Sequence, residues 1–124
     1  MTLPIGKKRW AIAEGYIPGW RHGEPQTTRH ETACLLNATD QDVHVEMTIY
    51  FSDREPAGPC RVTAPARRTR HIRFNDLKDS EPIPRDTDYA SVIASDVPIV
   101  VQHTRLDSRQ AENALITAIA YAGD

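Results

Sequence analysis

Three groups of side chains in this sequence have the types and spacing to do chemistry. The first is His30, Glu31, His44 and His103, each beside a different apolar segment. Imidazole with carboxylate suits several divalent ions. The spacing is non-local, however, and no Cys/His zinc pattern accompanies it. Paired or exposed polar residues are therefore the expected reading, with no metal and no cofactor. The second group is basic: Arg61, Arg67, Arg68, Arg70 and Arg73, with His71, lie in a stretch from Pro56 to Asn75 that holds no Asp or Glu. A two-stranded ribbon presenting them could meet phosphates, an anionic ligand or an acidic partner surface. The simpler reading is an edge strand guarded by charge, or pairing with the acidic loop that follows.

The third group is the polar run Gln102-His103-Thr104-Arg105-Leu106-Asp107, which follows Ile99-Val100-Val101. In a strand, His103 and Arg105 share one face and Gln102 and Thr104 the other. Planar donors and acceptors at a strand end, beside an aromatic such as Trp10, Tyr16 or Trp20, suit a polyhydroxylated ligand. Structural hydrogen bonding between strands or across a subunit interface is the competing reading. No nucleophile elbow, P-loop, dinucleotide fingerprint or H-E-x-x-H motif is present, so no enzyme is expected.

The elements that must position these groups read as strands. Arg9 to Gly15 is apolar and runs into a loop rich in Pro and Gly, and His30 to Ala38 centres on Cys34, Leu35 and Leu36. Val45, Met47, Ile49 and Phe51 alternate with His44, Glu46, Thr48 and Tyr50, the clearest period-two signal in the chain. Cys60 to Ala64 and Thr69 to Phe74 follow as further strands, then an acidic surface loop from Asn75 to Thr87. Tyr89 to Ser95 and Pro98 to Leu106 read as two strands of a hairpin, separated at Asp96-Val97-Pro98. The segment from Ala111 to Tyr121 is ambiguous, with helical spacing slightly favoured over alternation. Seven or eight strands in one sandwich or barrel are expected.

The chain has 124 residues, which fits one domain over 1–124, and nine prolines and six glycines suit short strands and tight turns better than long helices. Fifteen basic against 17 acidic residues give a net charge of -2, which disfavours a generic nucleic-acid binder. Cys34 and Cys60 form no motif and are expected as free thiols. No signal peptide is legible in the charged start, and no stretch approaches the roughly 18 apolar residues needed to span a bilayer. A cytoplasmic protein is expected.

Several blocks carry a resemblance: Trp10-Ala11-Ile12-Ala13-Glu14-Gly15-Tyr16-Ile17-Pro18, His30-Glu31-Thr32 with Leu36-Asn37, Pro65-Ala66-Arg67-Arg68-Thr69 leading to Arg73-Phe74-Asn75-Asp76-Leu77, and Val97 to Ala114. Together they resemble the sensory rhodopsin transducer family over essentially the whole chain. That resemblance implies an all-β protein: a single-domain, antiparallel, jelly-roll-like β-sandwich that assembles as a homotetramer and serves as a non-enzymatic signalling or sensor protein. It implies a strand over Ala114 to Tyr121, against the helical preference. It also implies binding of a small polar metabolite such as a sugar, and contact with a membrane rhodopsin at the cytoplasmic face. On that reading Glu14, Glu31, Asn37, His103 and Arg105 orient hydroxyls, and Trp10 or Tyr16 is the stacking platform. The ribbon Arg67, Arg68, Arg70 and Arg73 is the expected partner or anion surface, with DNA as a less favoured occupant.

Overall fold

The computed structural model describes residues 5–17, 29–77, 83–107 and 114–123. They form eight strands: β1 Lys7–Tyr16, β2 Arg29–Asn37, β3 Val43–Phe51, β4 Ala57–Ala64, β5 Arg68–Arg73, β6 Asp88–Asp107, β7 Ala114–Ile119 and β8 Tyr121–Gly123. A single 3₁₀ turn, Phe74–Asp76, follows β5. Every strand pair is antiparallel, so the fold class is all-β as expected. The alternation in β3 does what its period requires: Val43, Val45, Met47 and Ile49 are buried while His44, Glu46 and Tyr50 face solvent.

The organising element is β6. Its first half pairs with β1 and β3, and its second half with β2 and β7. The first sheet thus has the order β4-β3-β6-β1-β8, and the second runs β5-β2-β6-β7. The hairpin expected at Asp96-Val97-Pro98 does not form. Instead the register passes from Arg9↔Ala94 to Lys7↔Ile99, so that residues 95–98 oppose Lys8 alone in a wide bulge. Pro98 has no N–H to give a ladder, and such residues are tolerated in sheets at bulges. Ser95 Oγ donates to the Val97 carbonyl at 2.7 Å, and the Asp96 carboxylate accepts from the His44 N–H at 2.9 Å. Turn-forming residues have produced a bend that carries the strand from one sheet to the other.

The core lies between the two sheets and includes Trp10, Ile12, Leu35, Met47, Ile49, Ile72, Phe74, Ile93, Ile99 and Val101. Each large apolar side chain buried there contributes about 1.5–3 kcal/mol. Asn37 is fully buried and works as a structural pin. Its amide nitrogen is shared among the carbonyls of Gln41, Ala64 and Pro65, while its oxygen accepts from the N–H and hydroxyl of Thr39. The segment 114–119 is strand, as the resemblance implied and the periodicity did not; it pairs with β6 from Asp107↔Ala114 to Gln102↔Ile119. Cys34 and Cys60 are free thiols. Among the described residues no helix is long and apolar enough to cross a membrane.

Gly15 sits directly against the Tyr89 ring: a Cβ there would lie 2.3 Å from Tyr89 Cζ. Gly15→Ala must displace a ring packed against Phe74 at 5.5 Å between centroids. A loss of about 1–3 kcal/mol is expected in urea unfolding. An unchanged midpoint would show that the ring is free to move.

Candidate functional site

The inward face of the second sheet turns polar at one end. Glu31 on β2 is directly opposite Arg105 on β6, and His103 lies one inward position away. Glu31 is only 1% exposed. A bare carboxylate at that depth would cost several kcal/mol, so it must be held by donors. One oxygen lies 2.8 Å from His103 Nε2; the other accepts the Tyr16 N–H at 2.7 Å and lies 3.5 Å from the Arg105 guanidinium. Arg105 is also 3.6 Å from Glu14, whose side chain is largely in solvent. A carboxylate oxygen can only accept, so the hydrogen of this contact is carried by His103 Nε2. Phe74 meets the His103 ring edge-on at 6.3 Å.

Tyr89 completes the cluster from below. Its hydroxyl is buried and makes no hydrogen bond of good geometry. It still lies close enough to Glu31 for the carboxylate to act on it. Burial first, and then the negative charge and accepting oxygen of Glu31, push its ionisation far above the ordinary tyrosine range; Arg105 works weakly in the other direction.

Glu14, His103 and Arg105 open onto a groove of about 380 Å³ between β1 and the β7–β8 edge, with Ile116, Ile119 and Tyr121 on the far wall. Tyr121 is 75% exposed, a bare aromatic ring beside charged and hydrogen-bonding groups. Arg105 Nε is a buried donor with no acceptor among the described residues. The two carboxylates against one guanidinium leave one net negative charge when His103 is neutral, so the groove does not favour an anion.

Of the residues expected to bind ligand, Glu14, Glu31, His103 and Arg105 do come together. Glu31 is too deep to touch a ligand and instead orients the other two. Asn37 is spent on the pin described above. Trp10 cannot stack on anything from solvent: it is 6% exposed and its indole N–H donates to the carbonyls of Lys7 and Ile99. Tyr16 does not line the groove; its hydroxyl donates to Asp86 at 3.1 Å, and that bond first, then burial, raises its ionisation. Trp20 and the side chain of His30 lie outside the described residues. His44 is on the outer face of β3, and no group of three His, Cys, Asp or Glu could hold a metal among the described residues. Tyr89 and Tyr121 carried no motif. Their places in an alternating strand and at an edge were the available signals.

The basic residues occupy another face. β5 pairs only with β2 among the described strands, and Arg68, Arg70 and Arg73 on it are exposed. Arg67 precedes it at a positive φ of 56°. The centre of the acidic loop, with Asp79 and Glu81, lies outside the described residues; among the described residues no carboxylate forms an ion pair with Arg67, Arg68, Arg70 or Arg73. Arg61 alone pairs, with Glu46 at 3.3 Å.

Two outcomes follow from the buried cluster. Glu31→Ala strips the acceptor from three donors and should cost about 3–5 kcal/mol, whereas Glu14→Ala should cost less than about 1 kcal/mol; equal costs in urea unfolding would contradict the burial argument. The second concerns pH. A tyrosine whose ionisation is raised by folding holds its proton when the unfolded chain, near pH 10, has released it. Stability therefore falls as pH rises above about 10, by up to about 1.4 kcal/mol per pH unit for this group. Tyr89→Phe should flatten that decline, and an unchanged slope would show that Tyr89 is not its source.

Comparison with known proteins gives a consistent answer. No curated protein sequence matches significantly. Among solved structures, the Anabaena sensory rhodopsin transducer is 66% identical and superposes with a TM-score of 0.77, over 85% of this chain and 100% of that one. A Thermotoga maritima protein, 1070, is 29% identical with a TM-score of 0.82, over 96% of this chain and 97% of that one. The family model described as Anabaena sensory rhodopsin transducer matches residues 5–122. The chain belongs to that family of transducers.

Proposed function

We propose that this protein is a non-enzymatic cytoplasmic sensor whose groove beside Glu14, His103 and Arg105 takes a small, neutral, polyhydroxylated metabolite such as a sugar. The observation that carries this reading is the convergence of Glu14, His103 and the Arg105 guanidinium on one groove with the exposed Tyr121 ring. Ligand hydroxyls would accept from the exposed end of the Arg105 guanidinium, Glu14 and His103 would accept further hydroxyl protons, and Tyr121 would stack against the ring face. Tyr121 takes the role that the sequence suggested for Trp10 or Tyr16. The single negative charge of the groove favours a neutral ligand over a phosphorylated one.

On this proposal residues 1–124 act as one jelly-roll-like domain and four copies assemble. The exposed Ile116, Ile119 and Tyr121 on the edge strands β7 and β8 are apolar surface of the kind that subunit contacts cover. Ligand occupancy would be relayed to a partner, which the name of the Anabaena relative suggests is a membrane rhodopsin. The arginines of β5, which form no ion pair with a described carboxylate, favour a second reading, an adaptor acting by protein contact. A DNA-binding regulator is less consistent with the net charge of -2.

Thermal melts with a panel of neutral sugars and polyols test the ligand reading. A true ligand at a hundredfold excess over Kd adds about 2.7 kcal/mol of stability. The shift should vanish in Arg105→Ala and be smaller for the matching sugar phosphates. No shift anywhere in the panel would remove the ligand, and sedimentation at the 13.9 kDa protomer mass would remove the tetramer.

A further inference from the structure

A second groove, separate from the one beside Arg105, has a volume of about 600 Å³ and lies where the edge of the first sheet, β4, meets the edge of the second, β5. Val45, Val62, Ile72 and Leu77 give it apolar lining beside Arg61, Arg70 and the carboxylates Glu46 and Asp76, Glu46 being paired with Arg61. Arg70 reaches across to the Thr63 carbonyl of β4, so one guanidinium spans the gap between the two sheets. Beyond β5 no further strand continues the second sheet among the described residues. Alternate residues of β5 therefore direct main-chain N–H and C=O groups away from β2.

Charge alone could protect such an edge from aggregation, but the chemistry here is selective. Protective edges are typically lysine-rich. The stretch from Pro56 to Asn75 contains five arginines and no lysine, aspartate or glutamate. Arginine presents a planar fork that meets a carboxylate with two hydrogen bonds, and it is enriched where proteins touch one another while lysine is depleted. Arg67, Arg68, Arg70 and Arg73 form no ion pair with a described carboxylate.

We propose that the free edge of β5 binds an extended acidic segment of a partner protein by strand addition. The partner's main chain continues the β5-β2 sheet, its alternate apolar side chains enter the groove over Ile72 and Leu77, and its carboxylates, on the opposite face, meet Arg73. This goes beyond the ligand reading and holds whether or not the groove beside Arg105 is occupied. A polyanion such as DNA would use the same charges but not the main-chain edge or the apolar lining, and the net charge of -2 opposes it.

The experiment uses the full chain and a synthetic hexapeptide of alternating Glu and Val, blocked at both ends. Amide hydrogen exchange is followed residue by residue with and without the peptide. Strand addition predicts exchange slowed by about tenfold or more at outward-facing amides of Arg68–Arg73. It also predicts loss of that protection when alternate peptide nitrogens of the probe are methylated. The variant Arg73→Glu should melt like the parent and bind the peptide at least about tenfold more weakly. The proposal is overturned if the methylated peptide protects equally, if the charge-reversed protein binds equally, or if protection falls on another strand. It is also overturned if no protection is seen, or if a short DNA duplex protects β5 and the peptide does not.

Discussion

A carboxylate that is 1% exposed must be held by donors or it will not stay ionised, and the polar end of this molecule is arranged around that requirement at Glu31. Its partners come from different strands: the main chain of Tyr16 on β1, and His103 and Arg105 on β6. Because β1 belongs to the first sheet and β2 to the second, these bonds tie the two layers together where apolar packing gives way. They also fix which nitrogen of His103 is protonated and where the Arg105 guanidinium sits. The groove inherits its chemistry from a residue it does not expose.

That geometry depends on β6 spanning both sheets. Tyr89, Ser91 and Ile93 point inward before the bulge, and Ile99, Val101, His103 and Arg105 after it, so one strand supplies the core and then the site. Period two made most strands legible, and the polar end of β6 was legible by residue type. The crossing was not legible, because Asp96-Val97-Pro98 has the same composition whether the chain reverses or bends. Only pairing with both neighbours distinguishes the two, and pairing is non-local.

The candidate site was legible by residue type and only partly by role. Glu14, Glu31, His103 and Arg105 converge, but burial divides them into a hidden positioning carboxylate and three groups that face the groove. Asn37 and Trp10 read as ligand contacts because an amide and an indole can serve either ligand or fold. Here the Ala64, Pro65, Lys7 and Ile99 carbonyls claim their hydrogens. Tyr121 carried no motif, and its exposure at a sheet edge beside the groove is a property of pairing. The basic stretch was legible as charge, whereas its place on an unpaired edge beside a groove is a property of topology. The groove beside Arg105 and the basic edge strand β5 lie on separate surfaces of the molecule.

The most direct measurement of the central claim is a crystal structure of the protein soaked with the neutral sugar that gives the largest thermal shift. Density for the sugar against Tyr121, with hydroxyls within hydrogen-bond distance of the exposed end of the Arg105 guanidinium and of Glu14, is predicted. Density for that sugar at another surface, with the groove beside Arg105 holding only solvent, would contradict it.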